Sequence, residues 1–96
     1  MIVRIASFTL GPDTRKVAEE LADEVNGILR SCRGLRSATF FGDFEKGEYG
    51  SCTVWDTIED AEDAGKKIMP ISQQRVGSML KAPPNVRTLE HYSPKR

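Results

Sequence analysis

The segment IVRIASFTL, Ile2 to Leu10, limits the fold more than any other stretch of this 96-residue chain. It is rich in β-branched and aromatic residues and stops at Gly11-Pro12, as a strand does. Side chains alternate between faces along a strand, so Ile2, Ala6, Phe8 and Leu10 point one way and Val3 and Ile5 the other. A half-exposed strand alternates apolar with polar residues. This one does not, so something must cover it on both sides.

The other elements follow from spacing. Asp13 or Thr14 can cap a helix in which Val17, Leu21, Val25, Ile28, Leu29 and Cys32 form one stripe, ending near Gly34. Arg30 and Arg33 sit in its last turn, where cations meet exposed carbonyls; they read as helix termination rather than as a phosphate site. Leu35 to Phe41 and Tyr49 to Trp55 are strands joined by the hairpin loop GDFEKGE, whose register the pattern leaves open. Asp56 with Glu59, or Thr57 with Asp60, opens a second helix reaching about Leu80, with a kink or two abutting helices expected at Pro70. Val86 to Tyr92 is the last strand, before a basic SPKR tail.

The order βαββαβ predicts an α+β, ferredoxin-like antiparallel sheet with both helices on one face, in one domain spanning residues 1–96. The second face is then bare, and some of Phe8, Phe41, Tyr49, Trp55 and Tyr92 are expected on it.

Composition narrows the classes of function. Fourteen basic residues balance fourteen acidic ones, so no overall field attracts nucleic acid or an anionic membrane. No stretch is apolar for the roughly 18 residues a spanning helix needs, and MIVRIASF lacks a signal-peptide pattern; a cytoplasmic protein is expected. Cys32 and Cys52 have no zinc spacing and read as small buried hydrophobes, while a single histidine excludes a multi-histidine metal site within one subunit. No metal and no cofactor are expected. Hydrolase, dehydrogenase and nucleotide-binding signatures are absent too.

KGEYGSCTVW invites comparison with RNA-recognition motifs, which share this element order and stack bases on strand aromatics. Lys46-Gly47 and Tyr49-Gly50 look similar, but Glu48 breaks the spacing, and Ser51 or Cys52 stands where a stacking aromatic is needed.

The chain as a whole, Ile2 to Tyr92, resembles the antibiotic biosynthesis monooxygenase-like domains of the dimeric α+β barrel superfamily. The similar features are a first strand ending in SFTLGP, a long helix ending in RGL, a hairpin, and a strand ending in Trp55-Asp56-Thr57 before acidic residues. The resemblance implies a homodimer whose bare sheet faces meet, with a cleft between sheet and helices. It further implies either a cofactor-independent oxygenase acting on a phenol or quinol, or a non-catalytic small-ligand or stress-associated module. Haem degradation is not implied, because the haem-degrading members use a second-helix histidine and Thr57 to Leu80 has none.

For an oxygenase the candidate residues are Trp55 and Phe8 as apolar walls, Tyr49 as hydrogen-bond donor, His91 as the available imidazole base, and Arg4 or Arg75 as the cation facing a phenolate. Each has a plainer alternative: Trp55 as core, Tyr49 as strand packing, His91 as a surface or interface residue. Single-stranded RNA titrated at low salt, followed through Trp55 fluorescence, is expected to give no tight, salt-sensitive quenching.

Overall fold

The computed structural model describes residues 1–95; Arg96, the end of the basic tail, lies outside them. Strands β1 (Ile2–Thr9), β2 (Leu35–Asp43), β3 (Glu48–Trp55) and β4 (Asn85–Glu90) alternate with helices α1 (Arg15–Arg30) and α2 (Ile58–Val76) in the order βαββαβ. They form one sheet, ordered β2-β3-β1-β4, in which every neighbouring pair is antiparallel. This is a ferredoxin-like α+β fold, with β1 and β3 at the centre.

The β1–β3 register sets Ile2 opposite Trp55, Arg4 opposite Thr53, Ala6 opposite Ser51 and Phe8 opposite Tyr49. Tyr49, Thr53 and Trp55 are all buried, so this set faces the helices. Leu10 and Tyr49 pack with Ala18, Leu21 and Val76 at one end, and Trp55 packs with Leu29, Ala61 and Ala64 at the other.

The expectation of an aromatic-rich bare face is thereby corrected. Phe8, Tyr49 and Trp55 lie under the helices, and Tyr92 lies beyond β4, exposed. The open face carries Val3 and Ile5 from β1, Cys52 and Val54 from β3, Leu89 from β4 and, as its one strand aromatic, Phe41 on Gly50. The odd-even phase of β3 decides this, since Tyr49 and Trp55 are both in phase with the core position Thr53.

Loop chemistry fixes the hairpin register. The Asp43 carbonyl accepts from Gly47 N at 2.8 Å and its carboxylate from Lys46 N at 3.1 Å, an Asx-type turn. Gly47 sits at φ 70° and presses against the backbone of Gly11, where a Cβ would collide, while Leu10 N donates to Gly47 O at 2.8 Å. The hairpin end is thus tied to the β1–α1 turn.

Of the two possible caps for α2, Thr57 is the one used; its hydroxyl accepts from Asp60 N at 3.1 Å. The helix runs through Pro70 as one element, not as two abutting helices, and a 3₁₀ turn, Gly77–Met79, follows. Pro70 and Lys66 are both exposed, so water can reach the Lys66 carbonyl that loses its helical partner. Among the described residues, no helix is long and apolar enough to cross a membrane.

Trp55 is 1% exposed and donates its indole N–H to Thr53 Oγ1 at 2.8 Å. Trp55→Ala is expected to cost about 3–5 kcal/mol of stability, measured by chemical denaturation.

Candidate functional site

Between the two helices and the covered face of the sheet lies a cleft of about 530 Å³, walled mainly by apolar side chains. Its volume is within the range of small-molecule sites. Small residues leave the space. Ala6 and Ser51 pair at mid-sheet, and Ala18 and Ala22 of α1 and Gly65 of α2 line the same cleft. The bulkier walls are Phe8 and Phe40 from the sheet, Leu21 and Val25 from α1, and Ile68 and Val76 from α2.

Arg4 lines this cleft from the middle of β1. Its guanidinium lies against Gly65, where a Cβ would come within 2.8 Å of Nη2, so a methyl group there would displace the end of the Arg4 side chain. Among the described residues Arg4 makes no ion pair and no side-chain hydrogen bond. Burial pushes its pKa below the ordinary arginine value, and the carboxylate of Glu62 acts in the opposite sense.

Tyr49 lines the cleft as well, and its hydroxyl lies 2.9 Å from Thr14 Oγ1. Thr14 has a single hydroxyl hydrogen, which it donates to Gly11 O at 2.7 Å. Tyr49 is therefore the donor in the pair. Its hydrogen is committed away from the cleft, and serving as a donor to a ligand would require breaking this bond. Thr14 is the N-cap residue of α1, yet its side chain makes no capping bond; its hydroxyl is engaged by Gly11 O and Tyr49.

Aromatic side chains continue to the hairpin loop. The Tyr49 ring packs between Phe8 and Phe44, with centroids 5.9 and 6.0 Å away, and Arg15 sits 3.9 Å above the Phe44 ring. Glu19, also at the cleft, pairs with Arg15 at 3.6 Å in an exposed contact of little energetic weight.

Of the residues nominated from sequence, the cleft thus brings together Arg4, Phe8 and Tyr49. The other three lie elsewhere. Trp55 is packed in the core cluster around Leu29 and is not part of the cleft wall. Arg75 bridges the helices on the exposed side, bonded to Glu24 at 2.7 Å and Glu20 at 3.5 Å. His91 follows β4 with an exposed side chain, and its backbone N–H donates to Met1 O at 2.9 Å. Thr14, Phe40, Phe44 and Gly65 went unnominated; of these only Thr14 carried a signal, and it pointed to helix capping. Among the described residues, no group of three or more His, Cys, Asp or Glu side chains is placed to hold a metal ion.

The architecture is that of the antibiotic biosynthesis monooxygenases of known structure. The chain is similar to Rv0793 from Mycobacterium tuberculosis, with a TM-score of 0.79 and 22% identity over 99% of this chain and 98% of that one. It is also similar to SnoaB, a cofactor-independent oxygenase from Streptomyces nogalater, with a TM-score of 0.76 and 11% identity over 98% and 95% of the two chains. A monooxygenase from the gene ActVA-Orf6 of Streptomyces coelicolor, solved in complex with the ligand Nanaomycin D, matches at 0.76 and 18% over 97% and 88%. At these identities the likeness establishes the fold. No family model matches the chain, and no curated protein does.

Thr14→Val removes the acceptor for the Tyr49 hydroxyl and the donor to Gly11 O, and is expected to cost about 1–3 kcal/mol. Tyr49→Phe should cost less, because Thr14 keeps its bond to Gly11. Denaturation of both variants and the double variant should show a double-variant cost below the sum of the single ones.

Proposed function

We propose that the cleft binds a small aromatic compound and that the protein is a cofactor-independent monooxygenase acting on a phenol or quinol. One observation carries the reading: an apolar cleft of about 530 Å³ with an unpaired cation, Arg4, in its wall. The fold supports it, since SnoaB is a cofactor-independent oxygenase. An electron-rich aromatic can itself donate an electron to oxygen. The protein's part is to bind and orient the ring, exclude water and present a positive charge to an acidic oxygen of the substrate. Phe8, Phe40 and Tyr49 supply the walls and Arg4 the charge.

A non-catalytic ligand-binding module is the second reading. It is favoured by the position of the chain's histidine, His91, outside the cleft, and by the commitment of the Tyr49 hydrogen to Thr14.

We further propose that the protein is a homodimer, acting as one domain per chain in the cytoplasm. The open face, with Phe41 50% and Leu89 38% exposed beside Val3, Ile5 and Val54, suits a second copy, and the free thiols of Cys32 and Cys52 suit a reducing compartment. Light scattering after gel filtration should give twice the chain mass; a monomer at tens of micromolar would remove the paired-sheet arrangement.

Oxygen consumption with a panel of quinols and polyphenols, metals and flavin excluded, tests the activity. Substrate-dependent uptake is expected, with Arg4→Met lowering kcat/KM by about tenfold or more, equivalent to roughly 1.4 kcal/mol. Ligand binding without any uptake would establish the non-catalytic reading instead.

A further inference from the structure

Arg4 is a cation without an anion. It stands in the covered face of the sheet beside apolar walls, and among the described residues no carboxylate pairs with it. Burial of this kind disfavours the charge, and Glu62 offsets the cost only from beyond ion-pair distance. The cation is also given room: Gly65 holds the facing turn of α2 free of a Cβ that would come 2.8 Å from Nη2.

An ordinary phenol does not supply the missing anion. Its ionisation lies near that of tyrosine, at about pH 10, so charge at neutral pH requires a shift of about three units. A nearby cation lowers such a value by about one to three units, but the apolar wall raises it again. Glu62, close enough to act on Arg4, weakens the cation's pull further. A carboxylic acid, with a reference value near 4, is already ionised, and its two oxygens match the guanidinium fork.

We propose that Arg4 is an anion subsite within the cleft, and that the ligands of this protein are aromatic compounds bearing a carboxylate or an equally acidic oxygen. This rests on the cleft being the ligand site, and it narrows the phenols and quinols considered above to those that carry such a group. The ring occupies the space left by Ala6, Ser51 and Ala22, and the acid group reaches Arg4.

Calorimetric titration of the full chain at pH 7 and low salt with 2-naphthoate, 2-naphthamide and 2-naphthol tests it. The ring system is constant and only the acid group changes. Naphthoate is expected to bind about tenfold or more tighter than the amide or the naphthol, the weight of a charge-assisted hydrogen-bonded pair. In Arg4→Met that ratio should fall to within about twofold, and Arg4→Lys should keep only part of it. Gly65→Ala, which places a methyl group against the guanidinium while favouring helix, should also lower the ratio in a folded protein. Equal affinities for the three probes in the native protein, or a preference that survives Arg4→Met, would overturn the anion subsite and leave the cleft as a ligand site. Failure of all three to bind would overturn both.

Discussion

The pairing of β1 with β3, from Ile2 opposite Trp55 to Thr9 opposite Glu48, decides which side chains meet the helices. Because strand side chains alternate, a slip of one residue would turn Tyr49, Thr53 and Trp55 to the open face and bring Glu48, Gly50, Cys52 and Val54 under the helices. The observed register is held at both ends. At one end Tyr49 is buried with Leu10, Leu21 and Val76 and half-buried Phe8 packs against them; at the other Trp55 is buried with Leu29, Ala61 and Ala64 and half-buried Ile2 packs against them. Between these anchors the facing residues are small or polar: Ala6 opposite Ser51 and Arg4 opposite Thr53. The cleft is where the two core clusters leave space between them.

Much of this architecture was legible in the sequence, for a physical reason. Strand and helix periods survive in the apolar pattern, and the turn residues Gly11, Asp43 and Gly47 stand where the chain reverses. Apolar residues on both faces of β1 call for cover on each side, and the helices supply it on one. The phase of β3 was harder. EYGSCTVW reads as an aromatic face only when Tyr49 and Trp55 are considered without Thr53, whose burial shows that the same face meets the helices. At Pro70 the surviving apolar phase is matched by a single continuous helix, because a proline on the exposed side removes one hydrogen bond at a place where solvent is near.

The site was less legible than the fold because its geometry comes from residues distant in sequence. Arg4 and Gly65 belong to β1 and α2, and neither position signals the other. Thr14 looks like any N-cap, and nothing in its neighbourhood announces that its hydroxyl is shared with Tyr49, 35 residues on. Trp55, the most conspicuous residue, turned out to be packed at the far end of the sheet from Tyr49, with its indole N–H satisfied by Thr53. A large aromatic is informative about burial and much less so about chemistry.

Thr14 also joins the cleft to the backbone. The chain of contacts runs from the Tyr49 hydroxyl through Thr14 to Gly11 O, and Gly11 in turn lies against Gly47, whose carbonyl holds Leu10 N. One wall of the cleft, the N-terminus of α1 and the end of the hairpin are therefore tied at one point. Arg4 is placed differently. Its backbone is locked in the central strand pair, but its head group has no partner to define it beyond the space opposite Gly65. The cleft thus combines an aromatic wall tied by hydrogen bonds with one long, charged side chain that has no ion-pair partner among the described residues, an arrangement in which ring shape is read by the packed surface and charge by the guanidinium. Residues that would stiffen Arg4, a carboxylate on the facing turn of α2 above all, would stabilise the fold and occupy the charge that a ligand would otherwise meet.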